Sequence, residues 1–162
     1  MNKDDIKTML SSESNEWATP MDFYNKLNNL YGPYNLDPCS TPQNAKCQYH
    51  FTAEDDGLTQ DWSGRNVFMN PPYGKEIGKW IAKAYEESRK QNTTVTCLIP
   101  SRTDTKYWHD YCMKADKILF VKGRLKFGSA KNAAPFPSAV IIFTGKNTTR
   151  PFLNSIPMIG WL

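Results

Sequence analysis

Val67-Phe68-Met69, Val95 to Ile99, Ile118 to Val121 and Ala139 to Phe143 are apolar runs long enough for one buried strand each and too short for a helix. Between them the apolar positions recur at three- and four-residue spacing. Phe23, Leu27 and Leu30 predict a first helix, with Thr19 as cap, Pro20 at the first helical position, Asp22 in the first turn and Gly32 as its stop. Ile77, Trp80, Ile81, Ala84 and Tyr85 predict an amphipathic helix from Ile77 to Arg89, and Pro100-Ser101-Arg102-Thr103 leads into a further helix carrying Tyr107, Trp108, Tyr111 and Cys112. Tyr34-Asn35-Leu36 reads as a short strand ending at Asp37-Pro38, and Ser40 to Gly64 as a long functional loop. Strands alternate with helices at first, and the last strand pair is joined by a Gly- and Pro-rich loop without a helix. That order predicts an α/β fold with a mostly parallel sheet and an antiparallel edge strand pair. Residues 1–15 are polar and aperiodic and read as a flexible lead, 16–145 as the domain, and 146–162 as a peripheral tail.

Composition narrows the class. With 162 residues, 40% hydrophobic and 13% aromatic, the chain is a folded globule of about one domain. A formal charge of +4 permits a polyanionic partner without demanding one, and there is no basic tail. Cys39, Cys47, Cys97 and Cys112 form no CxxC pair, and no run of about 18 apolar residues is present. The expectation is a reduced, soluble, cytoplasmic protein that does not enter a membrane. Cys39 and Cys47 with His50 match no common metal-site spacing, and the remaining histidine is the distant His109, so no metal is expected.

The chemistry concentrates at Asn70-Pro71-Pro72-Tyr73, directly behind the apolar run 67–69 and ahead of Gly74. Such a tetrad can be a rigid turn. Its setting is a strand, a loop and then a helix, where open α/β sheets place ligands. Asn70 offers a side-chain carbonyl, and the extended Pro71-Pro72 pair aims a backbone carbonyl, so that one NH2 group can meet two acceptors. Tyr73 adds an aromatic face for a planar group. The tetrad resembles the (D/N)PP(Y/F) signature of enzymes that methylate exocyclic or amide nitrogens, whose delocalised lone pairs are poor nucleophiles unless held and polarised.

Further segments carry a wider resemblance. Trp17-Ala18-Thr19-Pro20, Leu36-Asp37-Pro38-Cys39, Asn44-Ala45-Lys46-Cys47, Asp55-Asp56-Gly57-Leu58, Trp62, the tetrad with Gly74, Leu98 to Thr105 and Gly123-Arg124-Leu125-Lys126-Phe127 are similar, in order, to the phage-type Dam-like DNA adenine methyltransferase family over about residues 15–145. The resemblance implies a Rossmann-like fold, S-adenosylmethionine as cofactor, DNA as substrate and partner, and the adenine amine as methyl acceptor. It also implies a host-cell cytoplasmic setting if the chain is phage-encoded. The usual glycine-rich cofactor loop is absent; Asp37-Pro38-Cys39-Ser40 stands in its place, and the stretch from there to Asn70 leaves little room for a helix, a strand and a second helix. A reduced version of the fold is expected.

On the matching positions, Trp17, Thr19, Pro20, Asp37, Pro38, Cys39 and Asn70 are implied cofactor contacts, with Asp37 facing the ammonium. Asp56 is the candidate for the ribose hydroxyls, ahead of Asp55, because Gly57 allows a sharp turn beside it. Asn70 to Tyr73 are the catalytic residues, and Arg102, Arg124 and Lys126 the candidate DNA contacts. Trp80, Trp108 and Phe143 read as core. Two rival readings stay open: a glutamine-modifying protein methyltransferase, and a non-catalytic DNA-binding or anti-restriction module. A chain this short has no room for a separate target-recognition domain, so specificity is modest or shared through a homo-oligomer.

Overall fold

A computed structural model describes residues 17–128, 131–145 and 159–162. The proposed lead, 1–15, and most of the proposed tail lie outside the described residues. Strands β1 (Asn66–Met69), β2 (Thr94–Pro100), β3 (Lys117–Phe120), β4 (Ser138–Thr144) and β5 (Ile159–Trp161) form one sheet in the order β1-β2-β4-β3-β5. The pairs β1–β2 and β3–β5 are parallel, and β4 runs antiparallel to both β2 and β3. The sheet is therefore mixed, with its antiparallel strand in the centre and not at the edge. A long connection, residues 121–137, leads from β3 back to β4, which inserts between β2 and β3. β5 falls in the segment read as a peripheral tail, within its apolar end Ile156 to Leu162.

Cross-strand pairing sorts the two faces, because directly opposed residues share a side. Phe68, Thr96, Ile142 and Lys117 stand in one row across the sheet. Against this row packs α1 (Met21–Tyr31): Tyr24 meets Phe68 edge to face at 5.1 Å, and the Lys117 ammonium lies 5.3 Å from the ring of Tyr31. The Tyr34 hydroxyl donates to Thr96 Oγ1 at 3.2 Å on the same side. On the other face lies α2 (Ile77–Ser88), whose Ile77, Trp80, Ile81 and Ala84 are buried and whose Tyr85 meets Phe143 at 5.8 Å. A short α3 (Lys106–Asp110), capped by Thr105, precedes a 3-10 turn at Cys112–Lys114, where the pattern predicts a longer helix.

Helix α1 stops at Gly32 as expected but departs from its sequence reading at its start and in its buried face. It begins at Met21 with Pro20 as the preceding cap residue and no side-chain cap bond; Thr19 cannot serve as cap because its hydroxyl is turned to Asn70. Leu30 is exposed, and Tyr24 and Tyr31 take the buried face instead. Glycine is required at 32 by crowding, since a Cβ there would come within 2.3 Å of the Asn28 carbonyl oxygen. Tyr34 to Leu36 make no full strand, but Leu36 forms a parallel bridge to Val67 and Asp37 one to His50.

An ionic cluster around the buried Glu87 ties the loop before β1 to α2. Glu87 accepts from the Trp62 backbone N–H at 2.8 Å, from Lys83 Nζ at 2.7 Å and from Lys90 Nζ at 2.8 Å, and Lys90 also reaches Asp61. Trp62, fully buried, donates its indole N–H to the Gly57 carbonyl and stacks near Trp80. Burial pushes the Glu87 carboxyl up, but the bonds from Lys83, Lys90 and the Trp62 N–H outweigh it and leave it below the usual glutamate range. Its contribution is thus present above the unfolded-state value and fades as pH falls through the native one. Replacing Glu87 by Ala leaves Lys83 with the Gln60 carbonyl in place of a carboxylate and takes the acceptor from the buried Trp62 N–H, and is expected to cost about 3–5 kcal/mol in urea unfolding at pH 7. The gap to wild type should narrow on acidification through and below the ordinary glutamate range, as the wild-type carboxylate itself is protonated.

Candidate active site

Asn70 leaves the sheet at the carboxyl end of β1, where the prolines end the ladder. Its amide is held on three sides. Nδ2 donates to the Trp17 carbonyl at 2.8 Å and to Thr19 Oγ1 at 3.0 Å, while Oδ1 accepts from the Tyr73 hydroxyl at 2.8 Å. The backbone carbonyl of Asn70 in turn accepts from Cys39 Sγ at 3.3 Å. Asn70 itself stays partly exposed, and Pro71 is buried beside it.

Tyr73 is not an open platform. It is 5% exposed, and its ring sits among Phe136 at 5.5 Å, Phe127 at 6.2 Å and Trp17 at 6.3 Å. Of these four residues Trp17 alone is half-buried and the other three are buried. Phe136 carried no signal of its own in the sequence, whereas Phe127 stood in the segment Gly123 to Phe127. The loop after β3 turns Phe127 inward to this box and leaves Arg124 and Lys126 exposed; Arg102 is exposed just past β2. Arg124 makes one long bond, Nη1 to the Ala134 carbonyl at 3.4 Å.

Asp37 emerges beside Asn70 because its segment bridges to β1. It is 4% exposed, and its oxygens accept from the backbone N–H groups of Lys46 at 2.9 Å and Cys39 at 3.4 Å. Burial raises its carboxyl above the ordinary aspartate value, with these two bonds, His50 and Lys46 opposing. Asp37, Asn70, Thr19, Trp17 and Cys39 line a cavity of about 70 Å3, which adjoins a larger one of about 640 Å3. The two share Cys39, Ser40, Asn44 and Pro72.

Asp56 and Pro38 line the larger cavity, while Asp55 is turned away to bond Thr52. The reason for Gly57 is closeness more than turning. The left-handed residue is Asp56 itself (φ 51°), whose carboxylate caps Leu58 N–H, and a Cβ on Gly57 would lie 2.0 Å from the Pro38 carbonyl oxygen. Pro20 lines neither cavity; it serves as the entry to α1. Lys46, Ser40, Glu54 and Trp80 line the site without having been picked out for it. Trp80 read as core from its helical spacing; it is 8% exposed and also forms a cavity wall.

The larger cavity has a ligand-sized volume. The buried Ser40 Oγ, on the wall common to both cavities, has no hydrogen-bond partner among the described residues. Carboxylates stand at both ends, Asp37 and Asp56. That donor and acceptor set fits a zwitterionic, ribose-bearing cofactor. Among the described residues no three His, Cys, Asp or Glu side chains converge as metal ligands, and none of the helices is long and apolar enough to cross a membrane.

A fixed amide oxygen beside a cavity of this kind, at the carboxyl end of a strand, suits an enzyme that holds an amine there. Comparison with known proteins makes the class particular: residues 7–151 match the family DNA N-6-adenine-methyltransferase (Dam), and the chain belongs to it. It is 29% identical over 143 residues to the DNA N-6-adenine-methyltransferase of Haemophilus phage HP1, covering 83% of this chain and 82% of that one. A second relative, the DNA N-6-adenine-methyltransferase of Escherichia phage T1, is 26% identical over 110 residues, or 67% of this chain and 45% of the relative. The chain is thus a DNA adenine methyltransferase.

Gly57→Ala is expected to force Pro38 and Asp56 apart and to lower stability by about 1–3 kcal/mol, the usual cost of overpacking. Urea unfolding of the variant checks this. An unchanged midpoint would mean that the Pro38–Gly57 contact does not shape the cavity.

Proposed function

We propose that the enzyme methylates adenine by direct transfer to a base taken out of its stack, with the amine held by Asn70 Oδ1 and the Pro71 carbonyl. The observation that carries this reading is the orientation of the Asn70 amide. Its NH2 end is occupied by Trp17 and Thr19, so its oxygen is turned toward Tyr73 and the reacting side. A carbonyl oxygen has two lone pairs, and the Tyr73 hydroxyl uses one; the other remains for an N–H of the substrate. The Tyr73 proton also has an alternative acceptor, the Leu98 carbonyl at 3.2 Å.

Two acceptors on one NH2 group draw its hydrogens into a fixed plane and raise the electron density on nitrogen. Nitrogen that has gained a methyl is strongly acidic, so no dedicated base is needed, and electrostatic stabilisation of the growing positive charge carries most of the rate. S-adenosylmethionine, when bound, supplies an electrophilic methyl. Asp37 suits its ammonium and Asp56 its ribose hydroxyls. Tyr73 acts through its hydroxyl on Asn70 Oδ1, since its ring is enclosed by Trp17, Phe127 and Phe136. Arg102, Arg124 and Lys126 suit phosphates along the rim of the site.

Asn70→Ala is expected to lower the single-turnover rate of methyl transfer to DNA by about 100-fold or more, the scale seen for removal of one preorganised polar group, with cofactor affinity changed by less than about threefold. Near-normal turnover would remove Asn70 from the chemistry.

Asp37→Ala is expected to weaken S-adenosylmethionine binding by ~1.5–3 kcal/mol, roughly ten- to a hundredfold in calorimetry. The anionic form of Asp37 is the binding form, and its value is raised by burial. Wild-type affinity should therefore fall on acidification at a higher pH than an ordinary aspartate would titrate, and the variant should show no such step.

A further inference from the structure

We infer that Thr19 is a positioning residue, whose hydroxyl fixes which end of the Asn70 amide faces the substrate. The inference rests on Asn70 as the acceptor of the adenine amine. A primary amide has two ends of nearly the same shape and opposite hydrogen-bonding character. Turned by half a rotation, Asn70 would present two N–H groups to a substrate amine that is itself a donor, and the site would repel what it has to hold.

Three contacts decide the orientation, and they are not equivalent. The Trp17 carbonyl can only accept, so the group 2.8 Å from it has to be the NH2 end. Thr19 Oγ1, at 3.0 Å, takes the second hydrogen of the same nitrogen. The Tyr73 hydroxyl, at 2.8 Å from Oδ1, donates, but the Leu98 carbonyl competes for its single hydrogen. Removing the Thr19 hydroxyl leaves the NH2 end with the Trp17 carbonyl as its anchor and takes the acceptor from its second N–H. Thr19 is 4% exposed, and its place is set from both sides. Ala18 accepts from the Gly128 N–H at 2.8 Å, and the Pro20 carbonyl accepts from Tyr24 N–H at 2.9 Å at the entry to α1. The segment 17–19 thus braces the catalytic amide from a region of the chain remote in sequence.

The test uses Thr19→Val and Thr19→Ala, which lose the hydroxyl, and Thr19→Ser, which keeps it, each in the full chain and checked for a native unfolding transition. At saturating DNA and S-adenosylmethionine, Val and Ala should lower kcat about five- to tenfold, the scale of one net hydrogen bond. The Kd for S-adenosylmethionine and the KM for DNA should stay within about twofold, and Ser should restore most of the rate. A loss of cofactor affinity with kcat unchanged would overturn the inference and make Thr19 a cofactor contact. A wild-type rate in both Val and Ala would overturn it too. Asn70→Ala, assayed alongside, separates the two levels: if it stays active, the role of Asn70 fails and that of Thr19 with it, whereas an inactive Asn70→Ala beside a fully active Thr19→Val removes Thr19 alone.

Discussion

Strand β1 is held from both sides, and everything at the active site depends on that clamp. On one side all four of its residues pair with β2; on the other, Asn35 N–H reaches the Asn66 carbonyl and Phe68 N–H the Leu36 carbonyl, each at 2.9 Å. All of these neighbours run parallel, so the segments carrying Asp37 and Asn70 emerge side by side at one edge. The two are far apart in the chain, and no local turn could bring them together. The register fixes both: a slip by one residue would turn Val67 and Phe68 to opposite faces and carry Asn70 with them.

The polar groups gathered at that edge oppose the stability of the fold. Asp37 is buried with backbone donors as its partners, and its raised carboxyl means that ionising it in the native state works against folding at neutral pH. Ser40 Oγ is buried without a partner among the described residues. The remainder of the molecule offsets this. Phe68, Tyr24 and Tyr34 pack on one face of the sheet, Trp80 and Ile81 on the other, and the Glu87 cluster pins the loop that bears Asp56 and Gly57. A rigid scaffold is what allows a small site to keep an unsatisfied, ligand-ready wall.

Much of the scaffold was legible because it is local. The apolar runs at β1 to β4 and the spacing of Phe23 with Leu27, and of Ile77 with Trp80 and Ile81, follow from periodicity alone. Strand order is not local: β4 between β2 and β3, and the added edge strand β5, come from pairings that no window of sequence contains. The short α3 breaks where Tyr111 leaves helical geometry, although the aromatic spacing continues. At the site, Asn70 and Asp37 could be picked out by residue type and by resemblance. The partners of a side chain could not, and Thr19 shows why: a threonine before Pro20 reads as a helix cap, and its hydroxyl is instead spent on an asparagine 51 residues away. Tyr73 likewise reads as a stacking surface and is found inside an aromatic box, because Phe136 and Phe127 return from a loop beyond β3.

The most direct test of this account is the identity of the methylated atom. Purified protein is incubated with unmethylated DNA and S-adenosylmethionine carrying an isotopically labelled methyl group, and the DNA is digested to nucleosides and resolved by mass spectrometry. The label should appear in N6-methyldeoxyadenosine, and the Asn70→Ala protein should leave it there only in trace. Label on a cytosine or on a protein amide, or no transfer by a folded protein that binds the cofactor, would contradict it.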